Sequence, residues 1–164
     1  MDVDGILSIL NRNRVKYLLI GGMNFMLRHQ PILTYDLDLW IEDTAENRTR
    51  CEQSLAELNA EWGATENAWG PVGKMAAGWL AKQGMVCVAS PYGAIDVFRS
   101  VAGLSDWQTS WSGGVDATTA AGTPYRGLSD EDMLRCQTVL DVGLRKHDRI
   151  RVLEEAIRSK GSQS

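Results

Sequence analysis

The stretch GGMNFMLRHQPILTYDLDLW, Gly21–Trp40, decides how this chain is read. It begins where an apolar run, VKYLLI (15–20), meets two glycines, and it ends in a strand that carries two aspartates. The run is rich in β-branched and aromatic residues, so it predicts a buried strand stopped at Gly21-Gly22. MNFMLRH (23–29) predicts a short helix that Pro31 cannot continue. YDLDLWIE (35–42) alternates. Leu37, Leu39 and Ile41 point one way, and Asp36, Asp38 and Trp40 the other. Two like charges on one strand face repel, and burial without compensation costs several kcal/mol. A basic partner or a divalent cation is needed. On its own, an Asp-x-Asp strand is equally well explained by a solvated edge.

A third carboxylate shifts the balance. AIDVFRS (94–100) reads as another strand, and Asp96 stands in it where Val or Ile would suit a core. If the two strands are neighbours, Asp36, Asp38 and Asp96 converge. Three carboxylates at that density can hold two magnesium ions ~3.5–4 Å apart, the arrangement of in-line phosphoryl transfer. Gly21 and Gly22 then open a helix whose N-terminal N–H groups can receive phosphates.

The rest of the chain frames this core. Val3, Ile6, Leu7 and Leu10 mark a first helix over 3–13. Thr44 caps an amphipathic helix to Asn59, with Cys51, Leu55 and Leu58 on its buried stripe. Residues 61–84 have no clear period and predict irregular chain with one short helix. MVCVAS (85–90) and AIDVFRS predict strands around the turn PYG. LSDWQTSW predicts a short helix or turn, and VDATTA with PYRGL a hairpin. Ser129 caps a helix expected to run to Leu144, and a last helix is expected over 146–158. The expectation is one α+β (α/β) domain over 1–158 with a mixed sheet flanked by helices, and a flexible tail over 159–164.

Composition excludes some classes. The 164 residues carry a formal charge of -4, and the pI is about 5.2, which leaves no basic footprint for nonspecific nucleic-acid binding. Cys51, Cys87 and Cys136 have no zinc spacing and are expected as reduced, mostly buried thiols. The N-terminus is acidic where a signal peptide is basic, and no apolar run reaches ~20 residues, so a cytoplasmic protein without a membrane partner is expected. GPVGKMAAG (70–78) fails as a P-loop, because two residues, not four, separate Gly70 from Gly73, and Met75 follows Lys74. His29 and His147 are expected at the surface or at helix ends. Arg145, Lys146, Arg149 and Arg151 are expected on solvated helix faces. Trp40 can stack on a base or pack under a helix.

The ordered set of Gly21-Gly22, Asp36-Leu37-Asp38 and Asp96 resembles the DNA polymerase β-like nucleotidyltransferase superfamily, in particular its small bacterial members, many of them associated with toxin–antitoxin systems. GTPYRGLSDEDMLRCQ and LRKHDRIRVL follow in the order of those members. The resemblance implies a nucleotidyltransferase-like fold. It also implies transfer of a nucleoside monophosphate from an NTP, foremost ATP, to a hydroxyl of a protein, a tRNA or a small molecule. Asp36 and Asp38 would bind two Mg2+ ions, with Mn2+ as substitute. Asp96 would hold the metal that activates the acceptor, or act as its base. Gly21, Gly22 and Asn24 would bind the nucleotide, the glycines at its β and γ phosphates. A partner protein or a homodimer would complete so small an enzyme. The sequence departs from the pattern at Ile32, where an Arg is frequent, at Gln137, where a Lys is frequent, and at His147, in place of a Lys. Arg28, Lys74, Arg99 and Arg145 are the candidate replacements. The alternative reading is a non-catalytic, antitoxin-like binding protein on the same fold.

Overall fold

A computed structural model describes residues 1–162. Eight strands form one mixed sheet: β1 (Tyr17–Leu19), β2 (Asp36–Ile41), β3 (Glu61–Trp62), β4 (Gly70–Pro71), β5 (Met85–Ser90), β6 (Gly93–Phe98), β7 (Val115–Thr118) and β8 (Pro124–Gly127). Their order is β4-β3-β5-β6-β2-β1-β8-β7, with β2 parallel to β6, β1 parallel to β8, and every other pair antiparallel.

The alternation read from the sequence determines the two sides. On one side Leu37, Leu39, Ile41, Ile95, Val97, Val86 and Val88 meet α1 (Val3–Arg12) and α3 (Ala45–Glu57) through Ile6, Leu7, Leu10, Cys51 and Leu55. On the other, Leu18, Ile20 and Trp40 pack with α2 (Gly21–Arg28), α4 (Trp107–Gly113), α5 (Asp130–Thr138) and α6 (His147–Gly161) through Phe25, Trp107, Met133 and Leu153. Side chains buried as fully as Leu37, Leu39 and Ile95 each contribute roughly 1.5–3 kcal/mol. The second layer stops short of β5, where Met85, Cys87 and Ala89 remain exposed on the face they share with Asp96.

Several expectations need correction. The segment 61–84 holds not one short helix but a two-strand ladder, β3–β4, and three 3-10 turns at 66–68, 72–74 and 79–82. Trp62 stacks on Trp79 at 5.5 Å between ring centroids and anchors that segment to the core. The α5 helix ends at Thr138, not Leu144, because Arg145 donates to the carbonyls of Leu140 and Thr138 and so takes over the C-terminal acceptors. The last helix continues past Arg158 to Gly161, and residues 163–164 of the expected tail lie outside the described residues. Of the three cysteines, all unpaired, Cys51 is buried, Cys136 half-buried and Cys87 exposed. No helix among the described residues is long and apolar enough to cross a membrane.

Candidate active site

The β2–β6 register brings the carboxylates together. Asp38 lies opposite Asp96, and Asp36 opposite Ala94. All three side chains are half-buried, and their carboxylate oxygens can lie within 4.8 Å of one another. Parallel pairing of strands distant in sequence thus places the paired aspartates and the single one on the same face, as period-two geometry requires.

The electrostatic cost is visible at Asp38. Burial, then repulsion from Asp36 and Asp96, raises its pKa to about 7, against the partial relief of the Gly22 N–H and the Arg149 guanidinium. Asp96 is also raised, by burial and by Asp36, with the Cys87 thiol donating to it in the opposite sense. Desolvation, the bond to Asp96 and the three carboxylates push that thiol up to about 11, so it stays protonated at neutral pH. The Thr34 hydroxyl lies 3.4 Å from Asp36 Oδ1.

The donor set fits hard divalent cations. It is all oxygen, partly open to solvent, and carries negative charge that, among the described residues, no basic side chain neutralises by direct contact; such sets suit Mg2+ or Mn2+ rather than thiolate-seeking metals.

Gly21 explains the glycine pair. Its φ of +64° lies in the left-handed region, and an added Cβ would sit 1.9 Å from Asp38 Oδ2. The chain can turn from β1 into α2 against a carboxylate only because no side chain is present. Gly22 is crowded as well: an added Cβ would approach Thr34 Oγ1 to 2.7 Å and Arg149 Nη2 to 3.3 Å. A pocket of about 610 Å³ opens from Gly21 and Asp38, bounded by Phe98, Val101, Met133, Gln137 and Arg149 among others. It is large enough for a nucleotide-sized ligand.

Other candidates fall elsewhere. Asn24 is fully buried; its Nδ2 donates to Leu128 O at 3.0 Å and approaches Met133 Sδ, so it ties α2 to α5 behind the pocket and is not among the pocket's lining residues. Trp40 packs under α4, edge-on to Trp107 at 5.3 Å, with its Nε1 donating to Arg99 O. Arg28 pairs with buried Asp130 at 2.8 Å, Arg99 with Asp43 at 2.8 Å, and Arg145 caps α5; Lys74 is exposed on a 3-10 turn. His29 stands at the C-terminal end of α2, as the helix-end reading expected, and there it is half-buried and partners Asp130 at 2.9 Å.

Arg149 is the residue that sequence reasoning misplaced. It is half-buried and borders the pocket, with its guanidinium 5.7 Å from the Phe25 ring centroid. The signal was available: Arg149 precedes the buried Leu153 by four residues and therefore shares its helix face.

The fold and this carboxylate face define the class. The protein has a nucleotidyltransferase-type fold, a mixed sheet with the aspartates on adjacent parallel strands beside a glycine turn. Solved structures similar to it include two antibiotic-modifying or antibiotic-resistance proteins. One is the lincosamide antibiotic adenylyltransferase LnuA in its lincomycin-bound form, with a TM-score of 0.61 and 16% identity over 91% of this chain and 92% of that one. The other is the antibiotic-resistance factor ANT(2'')-Ia, with a TM-score of 0.55 and 15% identity over 99% of this chain and 96% of that one. No protein-family model and no curated protein sequence matches the chain.

Proposed function

We propose that the protein is a metal-dependent nucleotidyltransferase that moves a nucleoside monophosphate from an NTP to the hydroxyl of a small-molecule acceptor. The observation that carries this is the convergence of Asp36, Asp38 and Asp96 beside the left-handed turn at Gly21. A structural domain has no use for three mutually repelling carboxylates, one of them raised to about 7. The small-molecule acceptor is favoured because both similar structures are named for antibiotics and because an acidic chain of net charge -4 repels RNA.

The residues have distinct tasks. Asp36, Asp38 and Asp96 would hold Mg2+, or Mn2+ in its place. When bound, such ions neutralise triphosphate charge and make the acceptor hydroxyl more acidic. Gly21 lets the backbone lie against Asp38, and the Gly22 N–H holds that carboxylate in place. The first turn of α2 faces the triphosphate with its N–H groups. Asp96, at the open β5 side of the cluster, faces the acceptor and takes the proton of its hydroxyl. The acceptor oxygen forms a bond to the α-phosphorus while the bond to the bridging oxygen breaks, and pyrophosphate leaves in line.

The test is transfer of α-phosphate label from each of the four NTPs, with Mg2+, to a panel of hydroxyl-bearing antibiotics and to cell lysate. Wild type is expected to label an acceptor, and the double variant Asp36→Asn, Asp38→Asn none. Absence of labelling from every NTP, with no Mg2+-dependent change in melting temperature, would sink the proposal.

A further inference from the structure

We propose that Arg149 is the phosphate-binding cation of this site, its guanidinium taking oxygens of the β and γ phosphates beside the first turn of α2. The proposal rests on the nucleotidyl-transfer reading and adds to it a residue that motif comparison passes over.

The geometry is specific. Arg149 Nη2 would stand 3.3 Å from a Cβ at Gly22, so the guanidinium sits against the turn that opens α2. The same group lies over the Phe25 ring and borders the pocket. It is half-buried, yet among the described residues it makes no hydrogen bond and no ion pair; it feels Asp38 and Asp36 only through their field. A guanidinium carries five N–H donors in a rigid fork, and leaving them without acceptors beside a pocket is costly unless an anion completes the site. Bidentate recognition of phosphate oxygens is what that fork suits best.

The neighbouring positions offer no competitor. Ile32 packs against the core cluster of Phe25 and Leu153 and brings no charge to the site. Arg28, Arg99 and Arg145 are committed to Asp130, Asp43 and the α5 carbonyls. Gln137 reaches the pocket as a neutral residue, its Oε1 already accepting from the Lys146 N–H at 2.9 Å. The anchor is also rigid, because α6 is fixed through Leu153 in the core.

The charge balance makes an opposite-sign test possible. Arg149 attracts triphosphate but repels a divalent cation from Asp38. Calorimetric binding of three probes is measured on wild type, Arg149→Gln and Arg149→Lys: Mg2+ alone, a non-hydrolysable NTP with Mg2+, and inorganic tripolyphosphate with Mg2+. Arg149→Gln is expected to bind NTP and tripolyphosphate about 10- to 100-fold more weakly, the loss of one charge-assisted pair. It is expected to bind Mg2+ alone at least as tightly as wild type, which a misfolded variant does not. Arg149→Lys is expected in between, because it keeps the charge and loses the fork. If Arg149→Gln binds both polyphosphate probes as wild type does, Arg149 is not the phosphate cation and the transferase reading stands. A loss for the NTP but not for tripolyphosphate assigns Arg149 to the nucleoside and overturns the proposal. If wild type itself binds neither probe, the transferase reading fails together with it.

Discussion

Replacing Gly21 by Ala separates backbone strain from collision, because the protein contains its own control. Gly21 has φ +64° and Gly78 has φ +82°, both left-handed. A side chain in that region costs ~1–2 kcal/mol, which for a chain of this size lowers the melting temperature by roughly 2–8 °C. Gly78→Ala should show that loss and nothing more, since nothing lies within 4 Å of the added methyl. Gly21→Ala should show the strain and a further effect. Its methyl would stand 1.9 Å from Asp38 Oδ2 and 2.7 Å from Asp38 Cγ, so the carboxylate must retreat by roughly 1 Å to reach a tolerable contact. A misplacement of that size at a reacting centre costs on the order of 100-fold in rate. Melting curves and labelled-NTP transfer on the two variants read both quantities. If Gly21→Ala transfers label as fast as Gly78→Ala, the Gly21 backbone does not position Asp38 and the site geometry argued above is wrong.

Asp38→Asn should stabilise the metal-free protein at pH 8. The native carboxyl holds its proton up to about 7 while the unfolded one releases it at 3.8, so wild-type stability falls as pH rises through that window, by at most about 4 kcal/mol. Urea titrations from pH 4 to 8 should show this slope in wild type and a flatter one in Asp38→Asn; equal slopes would refute it. Asp130 has the opposite sign. Burial raises it, but Lys160, His29 and Arg28 outweigh burial and hold it below 3.8, so its contribution is present above that value and is lost as pH falls further. Asp130→Ala leaves the nearly buried Arg28 without its carboxylate and should cost ~3–5 kcal/mol at pH 7, with the difference from wild type narrowing below pH 4 in urea denaturation. Arg145→Ala should cost about 1–2 kcal/mol and raise amide exchange in the last turn of α5, because the carbonyls of Thr138 and Leu140 lose their donor; unchanged exchange there would show that the helix end is set locally.

The carboxylate cluster was legible because strands write their faces in alternation. Asp36, Asp38 and Asp96 interrupt apolar strands, and the β2–β6 register then does no more than align them. The turn was legible only as the point where a buried run stops and a helix opens; that Gly21 must be glycine because Asp38 lies against its backbone depends on how β1 and β2 pack, which local sequence does not record. Arg149 was harder. On a helix with Arg151, Glu154 and Glu155 it looks like one more solvated charge, and only its spacing from Leu153 places it on the inner face. The helical reading of residues 129–144 failed because α5 ends through Arg145, which returns from beyond the helix to claim its carbonyls, and periodicity carries no trace of that bond. The ladder in 61–84 consists of two-residue strands, too short for any period, and its order depends on Trp62 meeting Trp79. The internal role of Asn24 was not legible, because a polar residue just inside a glycine-led helix has the same sequence appearance whether it faces a ligand or, as here, donates its amide to the Leu128 carbonyl.

The most direct measurement is anomalous diffraction from crystals of the protein grown with Mn2+ and a non-hydrolysable NTP. The account expects manganese peaks bounded by Asp36, Asp38 and Asp96, with the triphosphate running from them toward the first turn of α2. Manganese and nucleotide bound elsewhere, with those three carboxylates left without a metal, would contradict it.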